Sequence, residues 1–322
     1  MALGEFDLIR TYFDRPELRS HRSDVLGIGD DCALLTVPSG MQLAQSLDTL
    51  VCGVHFPRNC DPFLLGYRAL AVNLSDLAAM GAEPHSFTLG LTLSESDDQW
   101  LSKFSSGLAK LAGQAGISLI GGDTTCGPLT ISIQAQGLVP AGQALLRSGA
   151  RAGDHIYVSG SLGDAAGALE AVLTGVTPDT CSDVSVRHLL QRYYLPSPRL
   201  ALGSWLAANG ATSALDISDG LLGDLGHILS TSGVGAEIDP GLIPLSKPLL
   251  HTQGEEQARQ MAMTGGDDYE LCFTWPADKP LELPGSIAED CTVTRIGRIT
   301  VEAGLRDSGS GNELTARAYQ HF

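Results

Sequence analysis

The stretch from Ser94 to Asp123, SESDDQWLSKFSSGLAKLAGQAGISLIGGD, decides the fold class. Its first part predicts a helix that is capped by Ser94 and ends near Ala115. A short apolar strand over residues 117–120 follows, and a glycine pair then leads into Asp123. A helix that passes directly into a buried strand is typical of an α/β domain, in which ligands bind just beyond strand ends.

The same mixture of elements continues on both sides of this stretch. The patterns upstream and downstream predict a short helix over residues 3–14, strands at 32–37 and 41–47, a helix from 62 to 81, and strands at 87–93 and 128–139. In the second half they predict helices near 162–174, 185–194, 198–209 and 220–231, with strands at 155–159, 213–217 and 269–274. Glycine, arginine and alanine dominate residues 141–154, so we expect an N-terminal domain over 1–148 and a C-terminal domain over 149–322.

Composition favours a globular protein of the cytoplasm. The 322 residues are 43% hydrophobic and 18% charged, and no apolar run reaches the roughly 18 residues that a membrane span needs. No signal peptide is visible at the N-terminus. Seven cysteines without regular spacing predict reduced thiols. A net charge of −17 disfavours nucleic acid and anionic membranes as partners.

Aspartates recur next to glycines and at predicted strand ends. Each one alone is an ordinary turn residue, and Asp219 could simply cap a helix. Asp76 lies in a predicted helix three residues after Asn73, so the pair forms either a solvated stripe or the wall of a metal pocket. The recurrence concerns Asp30, Asp31, Asp48, Asp123, Asp216, Asp219, Asp267 and Asp268.

Convergence of these carboxylates would require cations. Two of them about 5 Å apart repel by roughly 3 kcal/mol at an effective dielectric near 20. Hard oxygen ligands select Mg²⁺ or Ca²⁺, and Mg²⁺ completed by substrate phosphates is the usual nucleotide arrangement. None of the four lysines lies in a P-loop, which excludes Walker-type and ordinary protein-kinase sites. Arg147 is either a phosphate clamp or one half of a surface ion pair.

Seven segments together resemble the thiamine-monophosphate kinase family. They are GIGDD at 27–31, SLDT at 46–49, AVNLSDLAAMG at 71–81, GGDTT at 121–125, DISDG at 216–220, GGDDYEL at 265–271 and YQHF at 319–322. The similarity runs from Gly4 to the last residue. It implies the aminoimidazole ribonucleotide synthetase-like fold: an N-terminal α/β domain that binds ATP and magnesium and pairs in a homodimer, and a C-terminal α/β domain that completes the active site.

The resemblance also implies roles for individual residues. Several Mg²⁺ ions would bind Asp30, Ser46, Leu47, Asp48, Asp76, Asp123, Asp216 and Asp219. Asp30, Asp123 and Asp219 would be catalytic. ATP would contact Gly122, Asp123, Arg147 and Ser218, and thiamine monophosphate would contact His55, Asp267 and Tyr319. Two positions depart from the family pattern: Leu47 can offer only its carbonyl oxygen, and Asp267 is one methylene shorter than the usual Glu.

The expected activity is therefore transfer of a phosphoryl group from ATP to thiamine monophosphate, giving thiamine diphosphate. Three rivals stay open at this stage. One is another chemistry of the superfamily, ATP-driven cyclisation or selenophosphate formation. The second is a magnesium-dependent phosphatase that needs no nucleotide, and the third is a dimeric magnesium or nucleotide sensor without catalytic activity.

Overall fold

The structure is a computed structural model that describes residues 4–315. The chain divides into two compact units, and the division runs through the end of one helix. The first unit comprises the residues up to Leu77 together with Ala82–Gly142, and the second comprises Ala78–Gly81 together with the residues from Gln143 onward. The domain ranges 1–148 and 149–322 stay a prediction, because a geometric division does not test independent folding.

The first unit is built around one four-stranded sheet. A π-helical turn at Ile9–Phe13 follows its first helix. The elements in chain order are α1 (Glu5–Leu8), β1 (Val25–Leu26), β2 (Leu34–Leu35), β3 (Met41–Val51), α2 (Pro62–Ala79), β4 (Glu83–Leu93), α3 (Asp98–Ala115), β5 (Ser118–Cys126) and β6 (Thr130–Pro140). The strands β1 and β2 form a separate antiparallel pair.

The large sheet of the first unit has the strand order β3-β6-β4-β5. Its β3/β6 and β4/β6 pairs are antiparallel, whereas β4 and β5 are parallel and are joined by α3, as a parallel connection requires. Along β4 the residues Phe87, Leu89 and Leu91 are buried and alternate with half-buried residues. Because side chains alternate between faces with period two, one face of the sheet is apolar and the other is more open.

Two glycines let α2 and α3 pack with their backbones in close contact. A Cβ atom added to Gly66 would lie 2.1 Å from the carbonyl oxygen of Phe104. One added to Gly107 would lie 2.0 Å from the carbonyl oxygen of Phe63. Real Cβ atoms do not approach backbone oxygens so closely, so this helix pair requires glycine at both positions.

The second unit contains a six-stranded mixed sheet surrounded by helices. Its strand order is β12-β9-β11-β7-β10-β8, and only the β9/β12 pair is parallel. A 3₁₀ turn lies at Pro240–Leu242. The elements are β7 (His155–Ser159), α4 (Asp164–Leu173), α5 (Val184–Tyr194), α6 (Leu200–Asn209), β8 (Ser213–Asp216), α7 (Leu221–Ser232), β9 (Gly235–Ile238), α8 (Lys247–Gln253), α9 (Glu255–Thr264), β10 (Leu271–Trp275), α10 (Gly285–Asp290), β11 (Val293–Thr300) and β12 (Gly304–Asp307).

Two buried apolar clusters stabilise this unit. One packs side chains of α7 such as Leu225 and Ile228 against strand residues such as Ile156 and Ile238. The other surrounds Trp275, which is 1% exposed, and includes residues of α6. The apolar area that these clusters remove from water provides the main driving force for folding of the unit.

Several expectations are corrected by the structure. Helix α3 begins at Asp98 and is capped by Asp97, not by Ser94, because the Asp97 carboxylate accepts the amide protons of Gln99 and Trp100 at 2.8 and 3.3 Å. The strands β3 and β5 are longer than expected, so Asp48 and Asp123 lie inside strands and not beyond their ends. The sequence patterns did not predict β9, β11, β12 or the helices α8–α10.

Within residues 4–315, no helix is both long enough and apolar enough to cross a membrane.

We predict that Gly107→Ala destabilises the protein by about 2 kcal/mol or more, because the added methyl group overpacks the α2–α3 contact. Gly113→Ala in the same helix is the matched control, since nothing lies within 4 Å of its added Cβ. The control should gain up to about 1 kcal/mol from helix propensity. Urea unfolding of both variants measures the difference, and equal stabilities would contradict the assigned contact.

Candidate active site

The edge strand β3 brings Ser46 and Asp48 against helix α2. The hydroxyl of Ser46 donates a hydrogen bond to the carboxylate of Asp76. The amide proton of Asp48 is donated to the side-chain oxygen of Asn73 at 3.2 Å. Asn73 is fully buried and also donates to the carbonyl oxygen of Ala69 at 3.1 Å. The polar stripe of α2 therefore faces the sheet, which excludes the solvated-stripe interpretation of Asn73 and Asp76.

The electrostatics of this cluster favour a cation. Burial and, to a smaller extent, the negative charge of Asp76 together raise the pKa of the Asp48 carboxyl to about 6. The two carboxylates and the Ser46 hydroxyl offer only hard oxygen donors, which is the donor chemistry that Mg²⁺ prefers. The residues present here thus fit a magnesium ion chemically.

A cavity of about 590 Å³ lies at the opposite edge of the same sheet, beside β5. Its wall combines apolar side chains such as Phe6, Phe13 and Ile28 with carboxylates and exposed backbone. The predicted site residues that line it are Asp30, Gly122 and Asp123. Asp30 also accepts the amide proton of Asp31 at 2.9 Å, which fixes the turn that carries both carboxylates.

Gly122 is required at the floor of this cavity by close packing of backbone on backbone. A Cβ atom at this position would lie 2.0 Å from the carbonyl oxygen of Leu89. The floor is therefore bare main chain, which can approach a phosphate or nucleotide more closely than any side chain would allow.

The strand order separates the two groups of candidate residues in the first unit. Asp48 of β3 pairs with Ile133 of β6, and Ile133 in turn pairs with Leu89 of β4. Leu89 pairs with Gly122 of β5, so three strand spacings lie between Asp48 and Gly122. At about 4.8 Å per strand this is roughly 14 Å, far more than the first coordination shell of one ion spans. Neighbouring Asp123 aligns with Gly90, one register step away. A shared ion for Asp48 and Asp123 is therefore not formed by one chain.

Residues 4–315 contain no group of three or more His, Cys, Asp or Glu side chains with metal-binding geometry. Within the first unit the candidate residues fall into two groups: the β3 cluster (Ser46, Asp48 and Asp76) and the β5 cavity (Asp30, Gly122 and Asp123). The gathering of all the aspartates around one pocket stays a prediction.

In the second unit, three candidate residues occupy the connection between β8 and α7. Asp216 ends β8 and is buried, whereas Ser218 and Asp219 are half-buried. The helix is not capped by Asp219, because its N-cap residue is Gly220, with φ 111°. Instead, the Asp224 carboxylate in the first turn of α7 accepts the amide protons of residues 218, 219 and 220 at 3.1, 3.0 and 3.1 Å. The helix-cap interpretation of Asp219 is therefore wrong.

Asp267 lies on a tight turn that is bonded to this connection. Its φ is 69° and that of Tyr269 is 51°, so two non-glycine residues adopt the left-handed region on either side of Asp268. The amide of Asp267 donates to the carbonyl oxygen of Ser218 at 2.8 Å. The hydroxyl of Tyr269 donates to the Asp267 carboxylate at 3.0 Å, which orients the predicted substrate contact.

A buried ion-pair network behind this turn was not identified from the sequence. Glu270 is fully buried and accepts from Arg192 at 2.7 Å and from Arg199 at 2.6 and 2.7 Å. It also accepts the Ser159 hydroxyl proton at 2.5 Å. The partners are separated from Glu270 by more than 70 residues in the sequence, so no local pattern could reveal these ion pairs. The only sequence signal near the network is the GGDDYEL segment, which contains Glu270.

The remaining predicted residues lie at separate positions. His55 accepts the amide proton of Val51 at 3.0 Å on its Nδ1 atom. The side chain of Leu47 is 62% exposed, and it has no side-chain oxygen. Arg147 is exposed and forms no ion pair within residues 4–315, so the surface-pair alternative finds no support there. Tyr319 lies outside the described residues.

Comparison with known protein families first defines the class. The family described as AIR synthase related protein, N-terminal domain, matches residues 29–139, and its C-terminal counterpart matches residues 151–308. The expected fold class, with two α/β domains of this type, is confirmed by these matches and by solved structures of similar proteins.

Full-length relatives then identify the family. The chain is 47% identical over 327 residues to the curated thiamine-monophosphate kinase of Escherichia coli (strain K12), covering 100% of this chain and 99% of that protein. Its structure is similar to the crystal structure of thiamine-monophosphate kinase from Stenotrophomonas maltophilia K279a, with a TM-score of 0.84 and 47% sequence identity. The match covers 91% of this chain and 93% of that chain. A complex of AaThiL with AMPPCP and TMP is 29% identical, with a TM-score of 0.80 and 89% coverage of each chain. The chain belongs to the thiamine-monophosphate kinase family.

We predict that Glu270→Gln destabilises the protein by about 3 kcal/mol or more, because two buried guanidinium groups lose their nearest counter-charge. Arg192 and Arg199 would keep only the longer contacts to Asp164 at 3.6 Å and to Asp290 at 3.9 Å. Glu237→Gln is the matched control, since it interrupts the more exposed pair with Arg298 and should cost at most about 1 kcal/mol. Urea unfolding measures both. A loss for Glu270→Gln no larger than that of the control would refute the buried network.

We predict that Asp48 makes the stability of the metal-free protein fall as pH rises. Its folded pKa of about 6 lies above the ordinary value of 3.8, so its stabilising effect is complete below about pH 4 and is lost as pH rises through about 6. Between pH 5 and pH 8, the metal-free wild type should lose about 1–2 kcal/mol more than Asp48→Asn.

Unfolding curves with and without Mg²⁺ at both pH values check this prediction. Mg²⁺ should stabilise the wild type more at pH 8 than at pH 5, because the ionised carboxylate binds the ion. A stabilisation by Mg²⁺ of equal size at the two pH values would count against ion binding at Asp48.

Proposed function

We propose that the chain transfers the γ-phosphoryl group of ATP to the phosphate of thiamine monophosphate, producing thiamine diphosphate and ADP. The observation that carries this conclusion is the 47% identity to a curated thiamine-monophosphate kinase over essentially the whole length of both chains. The positions of the acidic residues and of the bare glycine floor beside them support it.

The proposed reaction is a direct in-line displacement. An oxygen of the substrate phosphate forms a bond to the γ-phosphorus as the bond from that phosphorus to the β–γ bridging oxygen breaks, and ADP leaves with the electron pair. A phosphate monoester is already an anionic nucleophile, so no general base and no covalent enzyme intermediate are needed. The protein contributes positioning and neutralisation of charge.

We propose that the residues of the two groups in the first unit hold separate Mg²⁺ ions. The β3 cluster would bind one through Asp48 and Asp76, with Ser46 and the carbonyl of Leu47 as further donors. Asp30 and Asp123 would bind another in the β5 cavity, and Asp216 and Asp219 are proposed as ligands from the second unit. When bound, Mg²⁺ neutralises the triphosphate and reduces its repulsion of a second phosphate.

The β5 cavity is the proposed location of ATP in the first unit. Its volume of about 590 Å³ is within the range of small-molecule sites, and its apolar wall suits a purine ring. Gly122 offers its backbone to the nucleotide, and Asp123 acts through the metal. Arg147 and Ser218 are proposed as further ATP contacts. His55, Asp267 and Tyr319 are proposed as contacts of thiamine monophosphate.

We also propose that the chain forms a homodimer through the first unit. The face of the four-stranded sheet opposite α2 carries exposed Leu47, Gln45 and Thr49 and half-buried Ser132. A second copy of the same face is the proposed occupant, because the resemblance to the thiamine-monophosphate kinase family implies a homodimer formed through this domain. A cytoplasmic location also stays a proposal.

The direct test is incubation with ATP, Mg²⁺ and thiamine monophosphate, with detection of thiamine diphosphate by mass. A parallel reaction without ATP measures release of free phosphate. Formation of thiamine diphosphate that depends on ATP supports the kinase. Hydrolysis of the monoester without nucleotide would instead identify a phosphatase, and ATP binding without product would identify a sensor.

We predict that Asp219→Asn reduces turnover by at least about 100-fold, because a proposed metal ligand loses its charge while the fold is retained. Asp239→Asn is the control: Asp239 accepts the amide proton of Gly241 at 2.8 Å in a 3₁₀ turn and has no proposed role in catalysis. Steady-state kinetics and circular dichroism measure the two variants. Near-wild-type turnover of Asp219→Asn would remove this residue from the mechanism.

A further inference from the structure

Asp224 makes an unusual set of hydrogen bonds for a buried carboxylate. The side chain is 5% exposed, and one of its oxygens accepts three consecutive amide protons, those of Ser218, Asp219 and Gly220. No basic side chain within residues 4–315 forms an ion pair with it. Its helix neighbours Leu221 and Leu225 belong to a buried apolar cluster. The three amides are therefore the hydrogen-bond partners of this carboxylate, and they offset part of the burial that raises its pKa to about 6.

Three amide protons that converge on one oxygen determine the local backbone. Successive amides that point to one centre form a concave nest, which is an anion-binding arrangement in proteins. The nest in this chain is already filled by a carboxylate of the chain itself. A nucleotide phosphate does not compete for these amides, and the dihedral angles of residues 218–220 are set before any ligand arrives.

The same backbone segment fixes the Asp267 turn. The carbonyl oxygen of Ser218 accepts the amide proton of Asp267 at 2.8 Å, and the carbonyl oxygen of Ile217 accepts that of Tyr269 at 2.8 Å. A Cβ atom at Gly266 would lie 2.4 Å from the Ser218 carbonyl oxygen, so the two segments are packed directly together. A change in the orientation of residue 218 would thus also move the turn that carries Asp267.

We propose that Asp224 is a positioning residue for the phosphoryl transfer. It holds the 216–220 segment so that Asp216, Ser218 and Asp219 present their side-chain oxygens to metal and ATP. It does not itself touch a substrate. This inference rests on the proposed kinase function, and it adds to that function the residue that preorganises one set of its ligands.

The test compares Asp224→Asn and Asp224→Ala with the wild type. Asparagine keeps a neutral oxygen acceptor, whereas alanine removes the acceptor and leaves three buried amides without a partner. The half-saturating Mg²⁺ concentration and the KM for ATP should rise a few-fold in Asp224→Asn and at least about 10-fold in Asp224→Ala, with a lower kcat in the same order. Mere loss of folded protein would lower kcat and leave both constants unchanged.

Asp183→Asn is the matched control. Asp183 also accepts backbone amide protons, those of Ser185 and Val186 at 2.8 and 3.0 Å, and it caps α5, which contains none of the proposed ligands. Its half-saturating Mg²⁺ concentration and KM for ATP should equal those of the wild type.

Hydrogen exchange of the wild type provides a second measurement, which does not depend on whether the variants fold. The amides of residues 218–220 should exchange at least about 100-fold more slowly than those of exposed loops, because they are bonded to a buried carboxylate. Fast exchange at all three would overturn the proposal.

Wild-type values for the Mg²⁺ and ATP constants in both Asp224 variants would also overturn the proposal, while the kinase activity itself would stand. Failure of the wild type to form thiamine diphosphate is a different result, which would remove the proposed function and this inference together.

Discussion

The structure depends on how buried negative charge is compensated. Glu270 is neutralised by two arginines, and Asp224 is stabilised by three backbone amides. Asp48 has neither kind of partner for its carboxylate among the described contacts of residues 4–315, and burial near Asp76 raises its pKa to about 6. Burial raises the pKa of Asp224 to about 6 as well, so the two carboxylates differ in their hydrogen-bond partners and not in their pKa. In a chain with a net charge of −17, the lack of such partners marks Asp48 as a carboxylate that suits an external cation.

Local sequence patterns predicted the elements that are long or sharply bounded. The strand at residues 155–159 and the helices around 184–194 and 200–209 follow from apolar periodicity and from capping or turn residues. The sequence patterns did not predict β9 and β12, because strands of four residues show little periodicity. They also did not predict β11, whose alternation is interrupted by a bulge between Arg295 and Gly297.

The candidate residues were identifiable from the sequence, but their arrangement was not. Glycine–aspartate pairs and the helical spacing of Asn73 and Asp76 marked the acidic positions. Whether Asp48 and Asp123 meet depends on the strand order β3-β6-β4-β5, which is a long-range property that no local pattern encodes. Arg192, Arg199 and Asp224 also become meaningful only when distant segments are brought together. The sequence identifies the acidic residues and the structure shows which of them lie together, so the chemistry of the site depends on both.

The glycine floor of the β5 cavity has a consequence for inhibition. Residue 122 cannot accept a side chain, because its Cβ would overlap the Leu89 carbonyl oxygen. A compound that gains its affinity from the main-chain atoms at this position would be difficult for the organism to evade by point mutation. The atoms it touches are present whatever residue is encoded, and the substitutions that could obstruct it would also distort the sheet. Inhibitor design against this cavity would therefore meet fewer routes to resistance at its floor than along its side-chain wall.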